Sequence, residues 1–468
     1  MTDTMQTDNI NAAFERQAAG VIDRRCIFDL AARKRSLTRL ADVIRKNEGP
    51  IVAAIAQDFG KCATETILTE ILPVLQEISH ARRHLKRWMR PKHATPTLAS
   101  FGTSGKVRPE ARGVCLIIAP WNYPFNLAFG PLVSCLAAGN AAIIKPSEMA
   151  PATSALVASL VAETFPPELV TVIEGAVDTS TALLALPFDH IFFTGSPAVG
   201  KIVMAAAAKS LASVTLELGG KSPTIIGPDA NLKRAADWIA FGKFSNAGQT
   251  CIAPDHLFVH ASIKDAFVTI LRDRIAKAYG KSGTSPDLAR VVNSHHADRI
   301  AGLLDDAIQK GAQVTLGGAS DGTYIAPTLI ETVTPQMDID HEEIFGPVLP
   351  IMPFDDLDTV IAQINARPKP LSLYIFDKNK SRVDHIIAQT SSGHVGVNLT
   401  MLQFSHANLP FGGVNNSGIG NAHGHYGFRT FSNERAVLTN YFSPISLLFP
   451  PYTARVKRIL SLAKRVLG

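Results

Sequence analysis

Cysteine is scarce in this sequence, and it is scattered. The five residues Cys26, Cys62, Cys115, Cys135 and Cys251 form no CxxC pair, and an odd number cannot all pair with one another. That pattern excludes a disulfide framework or a zinc ribbon and points to a reducing, cytoplasmic compartment. The N-terminus lacks an apolar stretch after a basic start, so no secretory leader is expected. A large excess of charge is missing too: 46 basic against 40 acidic residues leave +6 on 468 residues. The basic residues gather around Arg82, Arg83, Lys86, Arg87 and Arg90 and in the C-terminal tail, without the interleaved aromatics of a nucleic-acid stacking platform. A solvated helix face is expected there, and no nucleic-acid partner. An apolar run free of charge and of membrane-spanning length covers 114–144, but Pro120, Asn122, Pro124, Asn126, Pro131 and Asn140 interrupt it. It reads as strand, loop, buried helix and strand, so no transmembrane segment is expected.

The chain that remains is 46% apolar and 18% charged, a globular composition long enough for two or three domains. Residues up to Asn9 are polar and read as loose, and helical spacing follows to about Arg90 with a break at Asp58-Phe59-Gly60. Residues 91–106 carry Pro, Thr, Ser and Gly and read as an extended connector or edge strand. Beyond them, strands near 114–119, 141–145, 169–174 and 190–194 alternate with helices such as 199–211, and short apolar segments follow at 214–218 and 223–226. A second alternating block covers about 253–398, with helices near 264–279 and 297–310. No internal repeat is evident. Alternation of this kind predicts an α/β fold of two lobes with a cleft between them.

Five clusters could carry chemistry. In FFTGSPAVG a buried strand enters the Gly195-Ser196 turn and a helix opens near Val199. Backbone N–H groups at a helix N-terminus attract phosphate, although the spacing is not GxGxxG and a ligand-free turn explains it equally well. In AAIIKPSE, Lys145 and Glu148 follow a buried strand, where open α/β sheets bind ligands. Lys145 could touch phosphate or ribose and Glu148 ribose hydroxyls, favouring NAD over NADP; a surface salt bridge is the plain alternative. Cys251 closes FSNAGQTC among small polar residues, a setting for an accessible thiol. Glu217, between leucines in LELGGK, is expected to be partly buried with a raised pKa suited to a general base, or else paired with Lys221. Asn122, held between Pro120 and Pro124 in PWNYP, offers an amide donor to an oxyanion, or is an ordinary turn residue. Adjacent His295 and His296 are expected to be exposed rather than to hold a metal, because consecutive residues seldom converge on one ion.

Together, PWNYP, IIKPSE, FTGSPAVG, LELGGKSP, NAGQTC, EEIFGPV and PFGGVNNSGIG, in that order between about Gly113 and Gly420, resemble the aldehyde dehydrogenase superfamily. The compact N-terminus, GQTCIAPD, KPLSLYIF and SGIGNAHGHYGFRTFS are similar to its class 3 and fatty or coniferyl aldehyde branch. The resemblance implies a Rossmann-like cofactor domain (1–90 and 107–216), a catalytic domain (217–410) and a bridging, oligomerising element (91–106 and 411–468). It implies Cys251 as the nucleophile, Asn122 and the Cys251 N–H as oxyanion donors, and Glu217 as the base that hydrolyses a thioester. It places NAD, with NADP left open, on Lys145, Glu148, Gly195, Ser196 and Val199, with Glu343 and Phe345 at the nicotinamide ribose. In class 3 relatives the Glu343 position also has a base role. Tyr123 and His423 fall on the substrate side, and the substrate expected is coniferyl-type or a medium- to long-chain aliphatic aldehyde. A CoA-acylating reaction, a cysteine acyl hydrolase on Cys251 and His423, and a non-catalytic relative are the alternatives; Glu217 and the nucleotide motifs weigh against them. Asn415 stands where the family has glycine, so a positive φ is expected there.

The tail from Tyr452 to Leu467 holds Arg455, Lys457, Arg458, Lys464 and Arg465 and no acid. Val456, Ile459, Leu460, Ala463, Val466 and Leu467 follow helical spacing. Such a helix buries its stripe on its own domain or on a partner subunit of a homodimer, or lies on an anionic membrane surface. Fatty aldehyde relatives resemble this layout but continue into a membrane anchor, so only peripheral contact is expected here.

Overall fold

A computed structural model of the protein describes residues 2–280 and 285–467. The N-terminal segment to Trp88 is helical and includes Thr2–Ala19, Val21–Ile27, Leu30–Lys46, Glu48–Phe59 and Leu72–Trp88. The first helix covers the residues expected to be loose; no proline or glycine stops it before Ile10 and Ala13 reach the core. Asp29 starts the third helix by accepting the Ala32 N–H at 2.8 Å. Leu37, Leu40, Ala41 and Ile44 recur at helical spacing and are buried, so one face of this helix packs into the core. The expected break is the end of Glu48–Phe59, where Gly60 takes φ 61°.

Strands β1 (Lys92–Ala94) and β2 (Thr103–Ala111) leave these helices as an antiparallel pair. Then come β3 (Val114–Ile118), β4 (Ala141–Lys145), β5 (Val170–Val172), β6 (His190–Thr194) and β7 (Ser213–Glu217). The second lobe holds β8 (Pro223–Ile226), β9 (His256–His260), β10 (Gln313–Leu316), β11 (Ser320–Asp321), β12 (Tyr324–Ile325), β13 (Thr328–Glu331), β14 (Val348–Phe354), β15 (Ser372–Phe376) and β16 (His394–Val397). β17 (Gly418–Ile419) and β18 (Ser432–Asn440) complete the chain order.

The first lobe is a six-stranded sheet in the order β17-β7-β6-β3-β4-β5, parallel but for β17. The chain enters at β3, builds β4 and β5 on one side, then β6 and β7 on the other. The direction therefore reverses between β3 and β6, and a crevice opens beyond the carboxyl ends of those strands. Every residue of β3, β4 and β6 is buried, as their apolar runs predict for a sheet covered on both faces. One cover is the helix Asn126–Ala138, which Gly139 ends at φ 97°. A Cβ at Gly139 would lie 2.3 Å from the Arg33 guanidinium, so only glycine fits.

The second lobe is a seven-stranded sheet, β10-β13-β14-β9-β8-β15-β16, beside the small β11-β12 pair. A third sheet joins β1, β2 and β18, with nine residue pairs between β18 and β2 from Ser432↔Ala111 to Asn440↔Thr103. β2 runs through 106 and 107, so the expected edge of the cofactor domain falls inside an arm strand. The arm extends away from the core: all of β18 after Ser432 is exposed. The tail forms the expected helix, Ala454–Leu467, but covers its own stripe only in part. Val456 is buried while Leu460 and Leu462 are exposed, and the side chains of Val466 and Leu467 are outside the described residues. Among the described residues no helix is long and apolar enough to cross a membrane.

Candidate active site

The carboxyl edge of the six-stranded sheet collects the site. β6 and β7 run in register, Thr194 opposite Glu217, so these two side chains leave the sheet side by side. β3 and β4 pair Ile118 with Lys145 at the same edge, and Asn122 and Tyr123 lie on the turn that leaves β3. Strand ends are rigid, and the turns beyond them carry groups that no strand could aim into the crevice.

Cys251 arrives from the other lobe. The helix Leu232–Phe244 ends in a turn where Asn246 (φ 52°), Ala247 (φ 52°) and Gly248 (φ 74°) are all left-handed. Such backbone is strained for Asn and Ala and persists only where its surroundings hold it. A Cβ on Gly248 would stand 2.3 Å from the Gly346 carbonyl oxygen, which explains glycine there. Gln249 is the brace: its amide donates to the carbonyls of Asn246 (2.9 Å) and Arg290 (3.0 Å), and its oxygen accepts the Val292 N–H at 2.9 Å. Asn122 Nδ2 donates to the Gln249 carbonyl at 2.9 Å, which ties the amide to the nucleophile loop and leaves its second N–H for a ligand. The Tyr123 hydroxyl lies 2.7 Å from Thr250 Oγ1.

The electrostatics of these groups follow from burial. The thiol of Cys251 is pushed up to about 12, first by desolvation and then by the Glu343 and Glu217 carboxylates, against the pull of the Cys251 and Ile252 N–H groups. The resting sulfur is therefore protonated, and its proton must leave to a base before it can attack. Glu217 is buried and neither of its carboxyl oxygens has a hydrogen-bond partner among the described residues. Desolvation raises its pKa well above the usual carboxylate value. Pairing with Lys221, the plain alternative for this residue, does not occur. Lys221 Nζ lies 2.5 Å from Asp255 and donates to the carbonyls of Ile339 (3.0 Å) and Glu342 (2.7 Å). Glu343 is raised to about 7 by burial and by Asp255, with the Gly220 N–H, Lys221 and Arg299 pulling it back. Its carboxylate packs on Gly219, where a Cβ would come within 2.4 Å of Oε2.

Cys251, Glu217, Thr194, Tyr123 and Thr250 line one cavity of about 300 Å³. Most of its wall is apolar and includes Leu68, Leu127, Trp238, Phe241, Met401 and Phe404, from segments far apart in the sequence. A mostly apolar pocket with a few convergent polar groups is the usual form of a small-molecule site. His423 is in the wall as well, held between Phe404 and Phe411 with ring centroids 4.6 and 5.3 Å away, and with Nδ1 3.7 Å from Glu77 Oε2. The lining aromatics gave no sign in the sequence, since an apolar residue ordinarily marks a core.

The residues expected at a cofactor fall along the same crevice. Lys145 is buried, with Nζ 2.5 Å from Glu148 Oε2, so their salt bridge exists but is sunk at the strand end rather than lying on the surface. Ser196 caps the helix Pro197–Ala208 and accepts the Val199 N–H at 3.4 Å. A Cβ on Gly195 would strike the Phe193 ring at 2.5 Å, so this turn keeps a bare backbone beside the crevice. The hydroxyl of Thr194 is buried without a hydrogen-bond partner among the described residues. Phe345, at φ 46°, meets Trp121 edge-on at 5.3 Å, and the His296 ring packs on Trp121 at 5.0 Å. His296 is thus half-buried while its neighbour His295 is exposed, which corrects the expectation of exposure for both. Asn415 does take a positive φ, 55°, and its side chain accepts Lys369 Nζ at 2.9 Å.

Residues 4–437 match the aldehyde dehydrogenase family model. The chain is 44% identical over 442 residues to the 4,4'-diaponeurosporen-aldehyde dehydrogenase of Staphylococcus aureus, covering 93% of this chain and 95% of that one. It is 40% identical to a probable coniferyl aldehyde dehydrogenase of Pseudomonas aeruginosa, over 97% of this chain and 96% of the relative. The solved structure of the substrate-bound state of Staphylococcus aureus AldH superimposes with a TM-score of 0.92 at 42% identity, over 97% of this chain and 99% of that one. A crevice at a sheet reversal, the Cys251 thiol and the Glu217 carboxyl on one cavity, and a match over nearly the whole chain lead to one assignment: the protein belongs to the aldehyde dehydrogenase family, NAD(P)-dependent enzymes that oxidise aldehydes to acids.

Proposed function

We propose that the protein oxidises an apolar aldehyde to its carboxylic acid through a thioester on Cys251. The observation that carries this reading is the meeting of Cys251 with the unpartnered carboxyl of Glu217 in one cavity. Cys251 attacks the aldehyde carbonyl as its proton leaves to a carboxylate of the cavity. The second N–H of Asn122 and the Cys251 backbone N–H hold the oxyanion, each such donor lowering the barrier by roughly 3–4 kcal/mol. NAD(P)+, when bound, supplies the hydride acceptor that turns the thiohemiacetal into a thioester. Glu217 then removes a proton from water, which attacks the thioester and frees the acid and the thiol. Glu343, raised to about 7 by its burial, is the second candidate for that base.

The crevice fits the dinucleotide. Lys145 and Glu148 would hold the adenosine ribose, and Gly195, Ser196 and Val199 the phosphates at the N-terminus of Pro197–Ala208. Glu343 and Phe345 would hold the nicotinamide ribose, and the partnerless Thr194 hydroxyl offers a further polar contact. Glu148 favours NAD, since its charge opposes a 2′-phosphate, and NADP remains the second cofactor to test. On this reading the domain division is 1–90 and 107–216, 217–410, and 91–106 with 411–468, adjusted so that all of β2 belongs to the arm.

The substrate class is an aromatic aldehyde of the coniferyl type or a medium- to long-chain aliphatic one, with Tyr123 and His423 on its side of the cavity. The apolar wall supports this, and so does the similarity to a 4,4'-diaponeurosporen-aldehyde dehydrogenase and a probable coniferyl aldehyde dehydrogenase. A homodimer is supported by the exposed Leu438, Tyr441 and Phe442 on and after β18, and peripheral membrane contact by the basic tail. Cytoplasmic residence agrees with five free cysteines. The test is reduced-nucleotide absorbance over a panel of aldehydes with NAD and NADP in turn. Cys251→Ala is expected to abolish turnover while nucleotide binding, followed by fluorescence, persists. Full turnover by that variant refutes the thioester.

A further inference from the structure

Asn122 and Cys251 belong to different lobes, and something must hold the amide of one against the loop of the other. Behind both lies a cluster of three charged side chains that no sequence motif marked, Lys61 and Glu70 buried and Glu65 half-buried. Lys61 and Glu70 form an ion pair at 3.2 Å with no side-chain exposure. Glu70 stands on a widened, π-helical turn, Ile67–Ile71, and its second oxygen accepts the Asn126 N–H at 2.9 Å. The Lys61 ammonium lies 4.5 Å from the centre of the Tyr123 ring, whose hydroxyl meets Thr250 beside the nucleophile. Glu65 accepts the N–H of Asn246, the first left-handed residue of the loop, at 2.6 Å. The Asn246 amide in turn donates to the Asn122 carbonyl at 2.8 Å and to the Gln249 carbonyl at 3.1 Å. Segments 122–126 and 246–251 are thus both tied to one ammonium and two carboxylates.

Stability alone does not account for this arrangement. Desolvation offsets most of what a buried ion pair gains, and apolar side chains of equal volume often serve as well. What apolar side chains cannot do is accept backbone N–H groups at set points. We propose that Lys61, Glu65 and Glu70 are positioning residues that lock the Asn122 amide against the Cys251 loop, so that its second N–H is held where the oxyanion forms. The proposal rests on the reading of Asn122 as an oxyanion donor.

A double-mutant cycle tests it. Asn122→Ala alone is expected to lower kcat by about 100-fold or more. Glu65→Ala lowers kcat by about 10- to 100-fold, the effect of roughly 1 Å of misplacement, with aldehyde KM little changed. In the Asn122→Ala background the same substitution adds less than about a twofold loss, because it acts through the amide already removed. Glu65→Gln, whose amide oxygen still accepts the Asn246 N–H, recovers most of the kcat. The double exchange Lys61→Met with Glu70→Met removes the charges at similar volume but leaves the buried Asn126 N–H without its acceptor; it is expected to fold with a modestly lower melting temperature and to lower kcat as Glu65→Ala does. Independent, fully multiplicative losses in the cycle overturn the proposal, as does wild-type kcat in both Glu65→Ala and the double exchange. Wild-type kcat in Asn122→Ala overturns the reading of Asn122 itself, and the proposal with it.

Discussion

Replacing Glu217 by Gln changes the site by a single proton-accepting atom, which makes it the sharpest probe of the proposed chemistry. Neither carboxyl oxygen of Glu217 has a hydrogen-bond partner among the described residues, so the exchange breaks no contact and the fold should be undisturbed. Its pKa is held well above the usual carboxylate value by burial, which brings proton affinity closer to neutral pH, where a base is most effective. Loss of a general base typically slows its step by roughly 10²–10⁴. The affected step is thioester hydrolysis, so Glu217→Gln should show a rapid burst of reduced nucleotide, one per Cys251, and then a steady state slower by that factor. Stopped-flow absorbance separates the two phases, and mass spectrometry of the quenched burst should find acyl-Cys251. Because the ionised form is the active base, wild-type kcat should rise with pH through the raised pKa, and the variant should lack that rise. A steady-state kcat within about threefold of wild type, against the expected 10²-fold or more, would refute the assignment. Glu217→Met carries the same argument into stability: removing a buried carboxyl without a partner should stabilise the fold by about 1–3 kcal/mol in denaturant melts while eliminating turnover.

Three further outcomes follow from the geometry. Glu343→Gln should remove any inflection of kcat near pH 7, since burial raises that carboxyl to about 7 and it is charged only above; a pH–rate profile with the inflection intact assigns it elsewhere. Gly248→Ala must fit a Cβ 2.3 Å from a carbonyl oxygen at φ 74°, so it should be destabilised by at least about 1–3 kcal/mol in urea and should slow alkylation of Cys251. Asp255→Asn tests linkage. Burial pushes this carboxyl up, but Lys221, His256 and Lys243 override it and hold the pKa below the usual range. The unfolded chain therefore binds more protons near pH 4, so the stability is present above the unfolded pKa and is lost as pH falls through the folded one. The variant should show a flatter acid limb in thermal melts, and an unchanged limb would place the acid sensitivity in another group.

The chemistry of this protein was legible wherever it is local. A charge-free strand such as Val114–Ile118 announces a sheet covered on both faces, and its alternation with helices makes that sheet parallel. A Gly-Ser turn before a helix, a thiol after Gly-Gln-Thr and a glutamate between leucines each state a chemical capacity through neighbouring residues. The helix over 2–19 was hidden because its anchors, Ile10 and Ala13, hold it through contacts far along the chain. Pairings were equally hidden. Lys221 stands nearer in sequence to Glu217, yet it bonds Asp255, and that choice leaves the Glu217 carboxyl without a hydrogen-bond partner among the described residues, as the proposed base requires. Lys61 and Glu70 look like surface charges in a polar stretch until a helix turn and Tyr123 close over them. Spacing along a chain reports which groups share a turn or a face. Which charge meets which, and which apolar side chains line a cavity rather than a core, depends on how whole elements pack, because those contacts join separate elements, as Lys221 meets Asp255 and Asn122 meets the Gln249 carbonyl.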